Sequence, residues 1–138
     1  MVVVTGYIEL ETRGHADMHD ITPDVATKVK ESGLRSGTAT VFCPGSTHAV
    51  TTIEFESGAL SDLRRLLNEI APRDREAHNR RWGDGNGHSH VRAALVGPSV
   101  SVPFAEGDLM LGTWQQLVHC DFDNRARSRR IVVQIVGE

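Results

Sequence analysis

His78, His88 and His90 fall within thirteen residues of one another, in a chain with seven histidines among 138 residues. The last two close the run Trp82-Gly-Asp-Gly-Asn-Gly-His-Ser-His90. In an extended segment, residues two apart point the same way, so both rings could reach one ion. His78 lies across a polar loop that can fold back to supply a third ring. Three neutral imidazoles around a divalent metal such as Zn²⁺, with a fourth position open, activate water or polarise a substrate oxygen. Asp84 joins the catalytic candidates as an acceptor that orients a ring. Asn86, in the same loop, offers an amide to a ligand. Surface or helix-capping histidines are the alternative reading of the same residues.

Other positions carry weaker signals. In Pro44-Gly-Ser-Thr-His48, the Ser46 and Thr47 hydroxyls with neighbouring backbone N–H groups could hold a phosphate. His48 is a fourth candidate histidine, with a catalytic role. The other reading is a plain Pro-Gly turn. Glu54 and Glu56 share a strand face and form an acid pair, suited to acid/base work or to a solvated sheet face. Trp114 can stack on a heteroaromatic ring and Gln115 can read its edge, or Trp114 can be core. Arg127, Arg129 and above all Arg130 are phosphate-clamp candidates, or a charged turn before the last strand.

The elements that must position these groups follow from pattern. Val2–Glu11 reads as a strand. A helix follows, with Thr22 as N-cap, Pro23 at its first position, Val25 and Val29 on one face, and Gly33 as its left-handed stop. Gly37–Cys43 and Ala49–Phe55 read as strands. Leu60, Leu63, Leu67 and Ile70 mark a second helix that Pro72 ends. Residues 73–87 lack hydrophobic periodicity and read as a long loop. A short helix over His90–Val96 and strands over Ser99–Phe104, Thr113–Asp121 and Arg129–Val136 complete the chain. This order is not β-α-β alternation, so an α+β fold with antiparallel or mixed sheets and helices outside is expected. The length fits one domain spanning residues 1–138.

Net charge is −3 and no broad basic face is evident, which argues against nucleic acid as a partner. A small phosphorylated molecule or anion suits the local arginines better. No apolar run approaches the ~18 residues of a membrane span, and the N-terminus lacks a signal-peptide pattern, so a cytoplasmic location is expected. Cys43 and Cys120 sit in apolar runs and read as buried thiols, with a disulfide the other option.

At these residues the sequence resembles the YjbQ family over nearly its whole length. The matching stretches are Gly-Ser-Thr-His-Ala-Val-Thr-Thr-Ile-Glu-Phe-Glu (45–56), Asp62-Leu63, Ala71-Pro72 and His78. They continue through Gly-Asp-Gly-Asn-Gly-His-Ser-His (83–90), Gly97-Pro-Ser-Val-Ser-Val-Pro103, Gly107, Leu111-Gly-Thr-Trp-Gln115, Arg129-Arg130 and Gly137-Glu138. The resemblance implies a mixed two-sheet β-sandwich, jelly-roll-like, with two to three flanking helices, and a homotrimer. It also implies a secondary thiamine-phosphate synthase activity. That reaction joins a hydroxymethylpyrimidine diphosphate to a thiazole phosphate and releases pyrophosphate. Two other functions fit the residues: a metal-dependent hydrolase or lyase, and a non-catalytic trimeric binding module. The chain departs from the common pattern at four places. Ser46 stands where the family has a histidine, with His48 two residues on. Glu76 replaces the tyrosine of Tyr-x-His, Glu54-Phe-Glu56 replaces Asn-Glu, and His88 is an added histidine.

Overall fold

The structure is a computed structural model that describes residues 1–73 and 77–138. The chain runs through β1 (Val2–Thr12), β2 (Asp17–Asp20), α1 (Thr22–Ser32), β3 (Gly37–Phe42), β4 (His48–Ile53) and α2 (Ser57–Ile70). It continues through α3 (Ala77–Trp82), α4 (Gly87–Val96), β5 (Ser99–Ala105), β6 (Asp108–Leu109), β7 (Gln116–Asp121) and β8 (Arg127–Gly137). Five strands form one sheet in the order β1-β8-β3-β5-β6, and three form a second in the order β2-β7-β4. Every pairing is antiparallel. The fold is therefore an α+β two-sheet sandwich.

Strand register decides which side chain faces which layer. His48 pairs with Asp121 and Val50 with His119. Because side chains alternate, His48, Val50, Leu117, His119 and Asp121 share one face of the small sheet. Ala49, Val118, Cys120 and Met18 share the other. The first face meets Ile8, Val41, Val102, Ile131, Val133 and Ile135 of the large sheet, with Val25 and Val29 of α1 closing the layer. The second face meets Leu60 and Leu67 of α2 and Ala93 of α4. Leu117 and Ile131 are 0% exposed. Burial of such side chains contributes about 1.5–3 kcal/mol each.

Several local expectations change. Thr22 is the first helical residue of α1, and its hydroxyl accepts from Leu117 N–H at 2.8 Å; Ile21 holds the cap position. Gly33 does supply the left-handed stop, at φ 72°. α2 begins earlier than Leu60 because Glu56 caps it, accepting from the N–H groups of Gly58 and Ala59. α4 begins at Gly87, so His88 and His90 are helical and not extended. The helix α3 lies inside the expected loop, and β2 is a strand that hydrophobic pattern did not mark. The two cysteines are free and sit in different cores, Cys43 between the sheets and Cys120 under the helices.

Candidate functional site

The histidine loop folds into two short helices joined by a Gly-rich connector. Gly83 and Gly85 take φ of 72° and 71°, the left-handed region that costs glycine nothing. Asn124 donates its amide to Asp84 O at 2.9 Å, and Gly87 N–H donates to Asn79 Oδ1 at 3.1 Å, which fix the connector. Ser89 donates its hydroxyl to Phe122 O and ties α4 to the end of β7. The Asn86 amide lies between the carboxylates of Asp84 and Asp123 and can donate to either.

This framework brings two of the three histidines together. The His78 and His90 rings are 4.6 Å apart, and His78 Nδ1 lies 3.1 Å from Asp84 Oδ1. His88 is not part of that group. Residues two apart on a helix are separated by about 200° around its axis, so His88 and His90 cannot share a face as they would in a strand. His88 is buried, and among the described residues no metal-sized cluster contains His78, His88 and His90 together. His78 and His88 do line the same cavity, but the three rings are not gathered as one ligand group among the described residues. Glu76 lies outside the described residues.

Two cavities meet at His88. The larger, about 500 Å³, runs between the end of α2 and the α3–α4 pair, lined by Ile70, Pro72, His78, His88 and Val91 among others. The smaller, about 140 Å³, is lined by His15, Arg64, Asn68, Arg73, His88 and Arg92. Arg64 is anchored through its Nε to Ala16 O at 2.9 Å, and Arg92 donates two N–H groups to Ala71 O at 3.1 and 2.9 Å. No carboxylate among the described residues lines the smaller cavity. It is an arginine-lined recess beside a largely apolar one.

The remaining candidates lie elsewhere. Arg130 is on the open face of the large sheet, paired with Glu9 at 2.8 Å and stacked over Tyr7 at 5.0 Å. Glu54 and Trp114 come together in a separate surface recess with Phe55 and Asp20. Trp114 is 73% exposed, so it is not core. Gln115 accepts from Gly112 N–H at 3.0 Å, closing its own turn. Ser46 is exposed on its turn, whereas Thr47 is buried.

Thr47 belongs to a polar cluster between the sheets. Arg129 donates to both Asp121 oxygens at 2.6 and 3.0 Å and to Thr47 Oγ1 at 2.7 Å. Thr12 donates to Asp121 Oδ2 at 2.6 Å, Thr47 donates to Asp123 Oδ2 at 3.1 Å, and Arg127 pairs with Asp123 at 3.0 Å. Burial alone would raise the Asp121 carboxyl, but hydrogen bonds from Arg129, Thr12 and the Asp123 N–H hold it below the usual carboxylate range. Burial also opposes ionisation of Asp123, which Asn124, Asn86 and Arg127 more than offset. His48, a catalytic candidate, is 2% exposed and lines neither cavity at His88.

Two features escaped the sequence. The arginines at 64, 73 and 92 are scattered, so no local motif announces them. His119 sits in an apolar strand and reads as ordinary core.

The chain matches the family described as UPF0047 protein YjbQ-like over residues 6–138. It is 38% identical over 138 residues to a UPF0047 protein of Methanothermobacter thermautotrophicus, covering 100% of this chain and 95% of that one. It is 32% identical over 131 residues to the UPF0047 protein YugU of Bacillus subtilis, covering 94% and 97%. Its structure superposes with a TM-score of 0.93 on a YbjQ-like protein of unknown function from Sulfolobus solfataricus, at 31% identity and 99% coverage of both chains. With the sandwich, the Gly-rich connector and the paired histidines in place, the match over almost the whole chain shows that this protein belongs to the UPF0047 YjbQ-like family.

Proposed function

We propose that the protein is an enzyme acting on a phosphorylated small molecule held in the cleft between α2 and α4. One observation carries this reading: His88 lines both the 500 Å³ cavity and the 140 Å³ arginine recess. The larger space suits an organic ring system. The smaller suits a phosphate, since guanidinium groups match phosphate oxygens in charge and fork geometry. His88 at the junction is placed to exchange a proton with the bridging oxygen.

Thiamine-phosphate formation is the specific reaction proposed for this cleft. Departure of pyrophosphate needs its growing negative charge neutralised. Arg64 and Arg73 supply that charge without any step through a metal, with Arg92 tied beside them to Ala71 O. The His78–Asp84 pair beside His90 would shape the far wall of the larger cavity.

The test is calorimetric binding of a thiazole phosphate and of a pyrimidine diphosphate, followed by product analysis. The Arg64→Ala/Arg73→Ala double variant should weaken binding of both by at least tenfold. Coupled product marks a synthase. Release of inorganic phosphate alone marks a hydrolase, and binding without turnover marks a binding module. Failure of either compound to bind at millimolar concentration, or equal binding by the double variant, removes the proposal.

A further inference from the structure

Away from the cleft, the polar end of the sandwich holds a group of side chains that the proposed function does not use. Cys43 follows β3, His48 opens β4, and His119 stands in the middle of β7. Their exposures are 0%, 2% and 0%. One ligand atom from each, the Cys43 sulfur and a ring nitrogen of each histidine, lies within 4.8 Å of the other two.

The hydrogen bonds fix the protons. His48 Nε2 is 2.7 Å from Pro44 O, and a carbonyl only accepts, so Nε2 carries the hydrogen. Neutral His48 then presents its Nδ1 lone pair to His119 Nε2, 2.9 Å away, which must be the donor. The single proton of neutral His119 is thereby used on Nε2. Its Nδ1 is left as a bare lone pair, fully buried and without a hydrogen-bond partner. Buried polar atoms in that state are uncommon and need an explanation.

We infer that Cys43, His48 and His119 form a buried site for one soft transition-metal ion, and that the ion is Cu⁺. Thiolate with two imidazoles selects soft or borderline metals over Mg²⁺ and Ca²⁺, which take oxygen ligands. The number of ligands and the charge then choose among the soft ions. Zn²⁺ seeks four ligands. The nearest carboxylate, Asp121, is already taken by Arg129, Thr12 and the Asp123 N–H. Zn²⁺ with one thiolate would also leave a net positive charge buried near Arg129. Cu⁺ accepts three ligands, and its charge cancels that of one thiolate, so no net charge is buried. Binding replaces the Cys43 S–H bond with an S–Cu bond, and the proton leaves to solvent. No electron is transferred. Binding through His48 Nδ1 replaces the hydrogen bond from His119 Nε2, and His119 can answer with a lone pair of its own, because its ring proton can occupy either nitrogen and Nδ1 has no protein partner to forfeit. The exposed turn at 44–46 is the cover. Gly45 lies so close that a Cβ there would sit 2.8 Å from His48 Nε2, so the turn must lift for an ion to enter.

The test is anaerobic titration of the purified protein with Cu⁺ against a chromophoric Cu⁺ chelator. One Cu⁺ per chain should be retained. Cys43→Ser and His119→Gln should each weaken retention at least a hundredfold, while His78→Ala, in the cleft, leaves it unchanged. If either core variant fails to fold, copper-edge X-ray absorption of the wild type decides, with one sulfur and two nitrogen neighbours expected. No retained copper, copper without a sulfur neighbour, or uptake of Zn²⁺ in its place overturns the inference. None of these readouts depends on the phosphate-site reading, so the two can fail separately.

Discussion

His119 is a basic side chain that the fold keeps neutral. Burial pushes its pKa down to about 3, with His48 beside it adding to the effect. In the unfolded chain the same ring titrates at its ordinary 6.5. Between these values the unfolded state binds a proton that the folded state refuses, so stability rises with pH there. It is undiminished above about 6.5 and declines as the pH falls, by up to about 1.4 kcal/mol per pH unit for the one proton. The depressed carboxyls of Asp121 and Asp123 act in the same sense lower down, since their stabilisation is lost as pH falls through the carboxylate range. The expected outcome is a urea midpoint that is flat from pH 8 to 7 and falls steadily from pH 6.5 to 4.5. A midpoint constant across that range would mean that His119 is solvated and not locked in the sandwich.

At the scale of elements, the acid pair Glu54 and Glu56 divides into two unlike residues. Both line the open recess with Trp114, but Glu56 also accepts from two N–H groups at the start of α2. Glu56→Ala should cost about 1 kcal/mol, the usual loss of an N-cap, and Glu54→Ala should leave stability unchanged. Thermal melts of both variants check this, and equal losses would contradict the capping assignment. The same pair shows what pattern reading can reach. α1 was legible because Pro23, Val25, Val29 and Gly33 each carry a local signal. β2 was not, since Asp-Met-His-Asp has no β signature and is a strand only because β7 pairs with it. α3 and the first turn of α4 were hidden by glycines and charges that look like loop, and tertiary contacts such as Ser89 to Phe122 O supply what propensity lacks. The histidines of the cleft were visible as residue types, but not their grouping, because grouping depended on strand against helix at 88–90. Cys43 and His119 lie 76 positions apart on different sheets, and only the packing of one sheet on the other brings them together.

The whole molecule leaves one layer uncovered. On the outer face of the large sheet, register aligns Val3, Val136, Thr38 and Pro103 in one row, and Tyr7, Val132, Phe42 and Ser99 in another. Val3 is 59% exposed, Tyr7 48% and Phe42 42%, and none of the three belongs to either hydrophobic core. The polar row Thr5, Gln134, Thr40 and Ser101 lies between them, and a mixed face of this kind suits subunit contact, since interfaces are only about as apolar as the rest of a protein surface. It supports the homotrimer that the family resemblance implies, which stands as our proposal for the assembly. A contact of this sort must bury on the order of 1,000 Å² to be stable, and the rows above run across four strands. Charge placed at its centre would be desolvated without a partner, so Tyr7→Glu/Phe42→Glu should dissociate the assembly while sparing the cores beneath. Sedimentation equilibrium should give about three times the 15.1 kDa chain for the wild type and one chain for the variant. A wild type that sediments as a single chain at tens of micromolar removes the proposal. A variant that stays trimeric moves the interface to another surface, with the recess at Phe55 and Trp114 the next to test.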